Sequence, residues 1–155
     1  MREQASNLAP FISDLVSRNF DQVEVIQGEA LEPYNKCTFP TKNKVLLVIK
    51  PKPTSLDKQD RYRKIIDVVE MAKKHLVPIY PISCGKNWGY GSTSPMGTAI
   101  VILDLSLFNL IQEFDDVSHQ VCVEPGVTQQ QLYDFLKQNG DLYLMDSTGA
   151  PTTSS

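Results

Sequence analysis

The sequence predicts an α/β fold, because a strand, a helix and a second strand follow one another. Residues 45–50, VLLVIK, form a continuous run of leucine and β-branched side chains, typical of a strand buried on both faces. A helical pattern occupies about 55–76, and 77–82, VPIYPI, form a second apolar strand. Two buried strands joined by a helix indicate a parallel pair with a right-handed crossover. We therefore expect a small parallel sheet covered by helices.

An amphipathic helix is predicted at the N-terminus, within residues 1–20. This segment lacks the apolar core and the small-residue cleavage site of a signal peptide. We expect it to be separate from the main unit, which begins at residue 21.

The helix predicted over 55–76 has apolar residues at three- and four-residue spacing, as expected for one buried stripe. The stripe consists of Tyr62, Ile65, Ile66, Val69, Ala72 and Leu76. Thr54 and Asp57 are expected to form a capping box at its start. Lys73, Lys74 and His75 fall in its last turn, where cations interact favourably with the helix dipole.

A second group of strands is predicted at 99–105, 110–114 and 120–124, with a turn at Asp115 and Asp116. We expect these strands to form a second, mixed sheet. Residues 142–145 are predicted to be a further short strand, and the last ten residues a loop.

The last predicted helix covers 128–138. Thr128 and Gln131 have the spacing of a capping box at its start. Leu132, Phe135 and Leu136 lie on one face.

The composition excludes several classes of protein. The chain has 155 residues, of which 41% are hydrophobic and 21% charged, which suits one domain or part of a larger one. The net charge is −3, and we expect neither nucleic acid nor a membrane surface as a partner. Three cysteines without C-x-x-C spacing indicate a cytoplasmic protein without a disulfide framework or zinc site. No catalytic constellation or metal-ligand spacing is present around His75 or His119.

A glycine-rich segment, SCGKNWGYG at 83–91, directly follows the strand at 77–82. Glycines allow successive backbone N–H groups to converge on one point, which suits phosphate oxygens. Lys86 would add charge, and Asn87 and Ser92 would add hydrogen-bond donors. The G-x-x-x-G-x-G spacing before a strand matches neither the Rossmann fingerprint nor the P-loop. A tight turn without a ligand remains an alternative on these residues alone.

Four segments, in order and at natural spacing, closely resemble the N-terminal FAD-binding domain, of the PCMH type, in the vanillyl-alcohol oxidase and para-cresol methylhydroxylase flavoproteins. They are PISCGKNWGYGS (81–92), IVILDLSLFNLI (100–111), VEPGVTQQQLYDFL (123–136) and STGAP (147–151). The resemblance covers about residues 20–155. It implies a PCMH-type half-domain, the first part of an FAD-binding domain, over 21–155.

The resemblance also implies which residues contact FAD. The glycine-rich loop would wrap the pyrophosphate, the EPGV turn would lie beside the adenosine, and the third segment would follow the ribityl chain and flavin. The implied residues are Ser83, Cys84, Gly85, Lys86, Asn87, Gly89, Tyr90, Gly91, Ser92, Pro125, Gly126, Val127, Thr148, Gly149, Ala150 and Pro151.

Three departures from the family pattern affect these expectations. Relatives that attach FAD covalently through this loop have histidine where Asn87 stands, so we expect non-covalent FAD here. Cys84 replaces a more common threonine, and it is either a small buried substitute or a reactive thiolate beside an anion. The family chain continues beyond the equivalent of Ser155 into the catalytic cap, so we expect a truncated domain without catalytic residues.

Two functions follow as expectations. The first is the pyrophosphate-holding portion of a flavin-dependent oxidoreductase, completed by a partner chain, by a region lost through truncation, or by another copy in a homo-oligomer. The second is a non-catalytic half-domain for assembly or regulation, which self-associates through an exposed apolar face. Asp104, at a strand end beside the loop, either orients a nearby amide or hydroxyl or caps the strand.

Overall fold

The protein is described by a computed structural model, which covers residues 2–18, 22–36, 44–85 and 100–140. Its main sheet has four strands in the order β1-β2-β4-β3. They are β1 (Val23–Ile26), β2 (Val45–Pro51), β3 (Ile79–Ile82) and β4 (Ile100–Asp104). Strand β4 pairs in parallel with both β2 and β3, and β1 is an antiparallel edge strand next to β2.

The predicted α/β fold and the parallel direction of β2 and β3 are therefore confirmed. The two strands are not neighbours, however, because β4 lies between them. Strand β1 was not predicted, since its four residues, VEVI, are too few to show a pattern. The strand predicted at 142–145 lies outside the described residues.

A second sheet consists of β5 (Ile111–Asp115) and β6 (Gln120–Val123), which pair antiparallel across the predicted turn. The expected second, mixed sheet is therefore wrong in part, because the strand predicted at 99–105 is β4 of the main sheet. It is followed by helix α5 (Gln129–Gln138), which begins with the predicted capping box of Thr128 and Gln131. Phe114 of β5 contacts Phe135 of α5 edge to face, at 5.7 Å between ring centroids. Phe135, on the predicted apolar face of α5, thus contacts the second sheet.

The other described helices precede the second sheet in the chain. They are α1 (Arg2–Ser17), a short 3-10 helix (Gly28–Leu31), α2 (Glu32–Asn35), α3 (Lys58–Arg61) and α4 (Arg63–Lys74). Helices α1 and α4 pack on one face of the sheet, with Phe11 and Leu15 of α1 fully buried. Leu31 of the 3-10 helix belongs to a smaller core on the opposite face. Burial of a side chain such as Phe11 stabilises a fold by about 1.5–3 kcal/mol.

Helix α1 is also held at its polar side. The Asp14 carboxylate accepts hydrogen bonds from Lys74 Nζ at 2.7 Å and from His75 Nε2 at 2.8 Å. The hydrogen bond from Lys74, followed by that from His75, lowers the pKa of Asp14 to about 2. Lys74 and His75 at the end of α4 therefore bind a carboxylate of α1, in addition to their predicted interaction with the dipole of α4. The predicted division of the chain at residue 20 stays a prediction.

The helix predicted over 55–76 is divided at Tyr62 into α3 and α4. The predicted capping box of Thr54 and Asp57 is wrong, because Asp57 is itself the N-cap of α3. Its carboxylate accepts from the backbone N–H groups of Gln59 and Asp60 at 2.9 and 3.4 Å. The Thr54 hydroxyl instead donates to the Asp60 carbonyl.

The predicted buried stripe of α4 is correct for Ile65 and Ala72, which join the core, and wrong for three other residues. The buried side chains are Val68, Met71 and Ala72, whereas Ile66, Val69 and Leu76 are 45%, 43% and 77% exposed. The helix has more apolar residues than one stripe requires, so two faces satisfy the same spacing. The core contains Val68, Met71 and Ala72 of this helix, and the spacing alone does not select their face.

A Schellman motif ends α4. The Val77 N–H donates to the Ala72 carbonyl at 2.9 Å, and the Leu76 N–H donates to the Lys73 carbonyl at 3.2 Å. Leu76 has a φ of 54°, in the left-handed region where glycine is the usual residue. This terminus therefore carries backbone strain in an exposed leucine.

A buried ion pair joins the crossover of the main sheet to the second sheet. Arg61 and Glu124 are 5% and 3% exposed, and they form two hydrogen bonds, Nε to Oε1 at 2.5 Å and Nη2 to Oε2 at 2.7 Å. Glu124 also accepts from Tyr62 Oη at 2.9 Å and from the Leu110 N–H at 2.7 Å. Burial alone would raise the pKa of Glu124, but these donors together outweigh burial and lower it.

Replacement of Leu76 by glycine is expected to stabilise the protein by about 1 kcal/mol, because glycine adopts a positive φ without steric cost. Little apolar burial is lost, since the leucine is exposed. Urea unfolding of Leu76→Gly beside Leu76→Ala tests this, because alanine removes the leucine side chain but keeps the strained Cβ. A Leu76→Gly variant no more stable than Leu76→Ala would contradict the assignment.

Replacement of Glu124 by glutamine is expected to cost about 3 kcal/mol near neutral pH, because Arg61 is left buried without its counter-charge. A carboxyl whose pKa is lowered by folding stabilises the protein above its ordinary pKa, 4.5 for Glu124, and that contribution is lost as pH falls through the lowered value. The difference in unfolding free energy between wild type and Glu124→Gln should therefore shrink in acid.

Urea unfolding from about pH 7 to about pH 3 measures this difference. Glu113→Gln is the matched control, because Glu113 pairs with Lys58 of the same helix but is exposed. An equal effect of the two substitutions at neutral pH would show that the Arg61–Glu124 pair contributes no more than a surface ion pair.

Candidate functional site

The candidate site begins at the edge of the main sheet where β3 and β4 end. Ile82 and Asp104 are paired at this edge, and the Leu105 N–H donates to the Ile82 carbonyl at 2.9 Å. Ser83, Cys84 and Gly85 leave β3 here, and Gly85 has a φ of 65°, which favours glycine. Ligands of open α/β sheets bind at the carboxyl ends of the strands. The described start of the glycine-rich loop thus has the expected location.

Asp104 performs both of the roles considered for it. Its Oδ1 accepts from the Ser106 N–H at 2.9 Å, which caps the turn after β4. Its Oδ2 accepts from Tyr34 Oη at 2.7 Å and lies 3.6 Å from Lys50 Nζ. Burial, followed by the hydrogen bond to Asp104, raises the pKa of Tyr34, so this phenol stays neutral. The Asp104 charge is therefore offset by Lys50 and by two donors.

The turn at Pro125, Gly126 and Val127 packs against the segment that leaves β4. The Gly126 N–H donates to the Phe108 carbonyl at 2.7 Å, and the Val127 N–H donates to the Glu124 carbonyl at 3.1 Å. A Cβ on Gly126 would lie 2.3 Å from the Ser106 carbonyl oxygen, too close for any side chain. Glycine is thus required here by the close approach of two backbone segments.

A direct contact joins this turn to the glycine-rich loop. The Cys84 thiol donates to the Gly126 carbonyl at 3.6 Å, across 42 residues of sequence. The Cys84 side chain is half-buried, and this contact favours the interpretation of Cys84 as a packing residue over that of a reactive thiolate. Two segments singled out in the sequence therefore meet in the structure.

The structure describes six of the predicted site residues. Ser83, Cys84 and Gly85 lie at the sheet edge, and Pro125, Gly126 and Val127 form the adjoining turn. The others lie outside the described residues: Lys86, Asn87, Gly89, Tyr90, Gly91, Ser92, Thr148, Gly149, Ala150 and Pro151.

Sequence reasoning missed the side chains that support these six residues. Tyr34 and Lys50 contact Asp104, and Arg61 contacts Glu124. A partner for Glu124 could have been expected from the sequence, because this residue is the one charge in the EPGV segment and a buried carboxylate needs a partner. Nothing in the local sequence identifies Arg61 as that partner, because the pair spans 63 residues.

Neither a metal-binding group nor a membrane-spanning helix occurs in the part of the chain that the structure describes. No three side chains of His, Cys, Asp or Glu are clustered there in a way that could hold a metal ion. No described helix is both long and apolar enough to cross a membrane.

Comparison with known sequences agrees with this geometry. Residues 60–154 match the family described as FAD binding domain. The 4-cresol dehydrogenase [hydroxylating] flavoprotein subunit of Pseudomonas putida is 35% identical over 132 residues, which are 85% of this chain and 24% of that protein. The 1'-carboxy-chondrochloren decarboxylase of Chondromyces crocatus is 35% identical over 118 residues, 76% of this chain and 20% of that protein.

Solved structures show the same fold. A p-cresol methylhydroxylase with substrate bound is 30% identical, with a TM-score of 0.76 over 96% of this chain and 28% of the other. The 4-ethylphenol oxidase of Gulosibacter chungangensis in its isoeugenol complex is 26% identical, with a TM-score of 0.79 over 97% of this chain and 28% of the other. The chain thus spans between a fifth and a quarter of the length of the curated relatives it matches.

The family match, the 4-cresol dehydrogenase subunit and the p-cresol methylhydroxylase structure lead to one conclusion. The chain belongs to the FAD-binding domain family of the vanillyl-alcohol oxidase and para-cresol methylhydroxylase flavoproteins, and FAD is its cofactor.

Proposed function

We propose that this chain holds the pyrophosphate and adenosine of FAD between the glycine-rich loop at 83–91 and the turn at 125–127. The observation that carries this proposal is the contact between Cys84 and Gly126. It brings the first residues of the loop beside the turn, at the edge of the sheet where α/β proteins bind ligands. One extended dinucleotide can therefore contact both segments.

The described residues suit an anionic cofactor. Backbone N–H groups bind phosphate oxygens when no Cβ intervenes, and Gly85 has the positive φ that turns the backbone of such a loop. Asp104 is the acid nearest in register to this loop, and Lys50, Tyr34 and the Ser106 N–H offset its charge. A phosphate beside Ser83 would thus meet little repulsion from Asp104.

Further contacts are proposed for residues that the structure does not describe. Lys86, Asn87, Gly89, Tyr90, Gly91 and Ser92 would complete the pyrophosphate loop. Thr148, Gly149, Ala150 and Pro151 would follow the ribityl chain and flavin. Because Asn87 stands where covalent relatives have histidine, FAD would be held without a covalent bond from this loop.

When it is bound, the flavin accepts a hydride or electrons from the substrate. The described residues would orient the nucleotide half of the cofactor. The solved relatives named for p-cresol and 4-ethylphenol act on phenols. We therefore propose a phenol-type substrate for a flavin-dependent oxidoreductase in which this domain works. Its catalytic groups are proposed to lie outside these 155 residues.

An assembly module is a second candidate, and helix α4 favours it. Ile66 and Val69 are one turn apart, so they share a face, and they are 45% and 43% exposed. These two residues face away from the core that Val68 and Met71 join. A second copy of the chain would cover them.

Light scattering after size exclusion tests the assembly candidate. The wild type is expected to form a dimer that Ile66→Glu, Val69→Glu converts to monomer, because a carboxylate cannot be buried unpaired at the contact. The control Val16→Glu changes an exposed apolar residue of α1. A monomeric wild type at high concentration would contradict this candidate.

Titration with FAD, followed by flavin fluorescence and visible absorbance, tests the first proposal. The wild type is expected to bind. Gly85→Ala should weaken binding at least about tenfold, which is about 1.4 kcal/mol, because its Cβ obstructs the approach of the phosphate. A wild-type protein that takes up no FAD would contradict the proposal.

Gly28→Ala is the matched control for Gly85→Ala. Gly28 has a φ of 64°, nearly that of Gly85, but it lies at the 3-10 helix. Both substitutions should therefore cause a similar loss of stability, roughly 1 kcal/mol, from backbone strain. Only Gly85→Ala should lower the affinity for FAD.

A further inference from the structure

We infer that Arg61 and Glu124 are positioning residues for the adenosine-side turn: their buried pair holds Gly126 against Cys84 and thereby sets the affinity for the nucleotide half of FAD. This inference rests on the proposed function, since it concerns how the same site is held. Neither side chain is among the residues proposed to contact the cofactor.

The Glu124 carboxylate is held from three directions. Arg61 approaches from α3 with two N–H donors, Tyr62 from the start of α4 with its hydroxyl, and Leu110 from the start of the second sheet with its backbone N–H. The Glu124 N–H also donates to the Leu110 carbonyl at 2.9 Å. Side chain and backbone of Glu124 are both fixed immediately before Pro125.

The ring of Phe108 links this pair to the turn. Phe108 is fully buried, Tyr62 stacks on it at 5.9 Å, and the Arg61 guanidinium lies 5.8 Å from its centroid. The backbone carbonyl of the same residue accepts from the Gly126 N–H at 2.7 Å. A shift of the Arg61–Glu124 pair therefore reaches Gly126 both through the chain and through Phe108.

Gly126 has no freedom to absorb such a shift. Its Cα lies so near the Ser106 carbonyl that not even a Cβ fits, and its own carbonyl accepts from Cys84. Loss of the pair should move the turn as a unit away from Cys84, and the two walls of the proposed site would separate. Arg61 would thus affect the affinity for the ligand, although it lies far from the loop in the sequence.

The thiol of Cys84 provides a readout that does not depend on FAD. In a Cys37→Ser, Cys122→Ser background, Cys84 is the sole thiol, and its labelling by a maleimide reports on its contact with Gly126. Arg61→Lys and Glu124→Gln are expected to speed labelling roughly tenfold at temperatures well below unfolding. A general loss of stability would instead raise labelling only in proportion to the unfolded fraction.

Affinities for ADP and FMN provide the second readout. ADP carries the adenosine and pyrophosphate, whereas FMN carries the flavin and ribityl chain. Arg61→Lys and Glu124→Gln should weaken ADP binding roughly tenfold and leave FMN binding unchanged. Lysine keeps the charge of Arg61 but cannot donate two parallel hydrogen bonds, so a correct fold with a displaced turn is the expected result.

Lys58→Met and Glu113→Gln are the matched controls. They break the exposed pair between the same helix α3 and strand β5, where both side chains are more than half exposed. Neither control should change Cys84 labelling or ADP affinity. If Glu124→Gln does not fold, Tyr62→Phe serves in its place, because it removes one hydrogen bond to Glu124 and leaves the ion pair.

The outcomes separate the two proposals. Unchanged Cys84 labelling and ADP affinity in folded Arg61→Lys and Tyr62→Phe would overturn the positioning role. Faster labelling in those variants, with controls unchanged, would support the claim that the pair holds Gly126 against Cys84, even if the wild type bound neither ADP nor FAD. That last result would contradict the proposed function instead.

Discussion

The buried pair of Arg61 and Glu124 is the interaction on which the arrangement of this domain depends. Two charges with almost no access to water are tolerable only when each is paired and hydrogen-bonded, and here the carboxylate accepts from Arg61, Tyr62 and Leu110. The pair joins the crossover that precedes the glycine-rich loop to the sheet that flanks the EPGV turn. Loop and turn therefore keep their relative position, and the proposed site lies between them.

A second constraint acts at the edge of the main sheet. Asp104 is buried where a phosphate is proposed to bind, a position at which an isolated carboxylate would repel the ligand. Lys50, Tyr34 and the Ser106 N–H offset its charge, so Asp104 orders this edge with little electrostatic cost to an anion. The same side chain thus supports the turn after β4 and fixes the position of Tyr34. Asp104 can therefore order this edge of the sheet without preventing an anion from binding, because its negative charge is offset by Lys50 and two hydrogen-bond donors.

The parts of the fold that sequence reasoning predicted correctly are those set by local pattern. The runs of β2 and β4 and the capping box of α5 each depend on neighbours in the chain. The buried face of α4 was predicted only in part, because that helix has apolar residues on two faces and their spacing does not select one. The position of β4 between β2 and β3 depends on contacts distant in sequence, as does the pairing of Arg61 with Glu124. For the site, the sequence singles out the loop and the turn as candidates, but their contact through Cys84 and Gly126 could not be predicted from it.

The central claim is that loop and turn form two walls of one cofactor site. A crystal structure of the protein with FAD tests it most directly. We expect pyrophosphate oxygens within about 3 Å of backbone nitrogens in the loop that begins at Ser83, with the adenosine against Pro125, Gly126 and Val127. FAD bound with its adenosine remote from Gly126, or a pyrophosphate held by side chains elsewhere, would contradict the account.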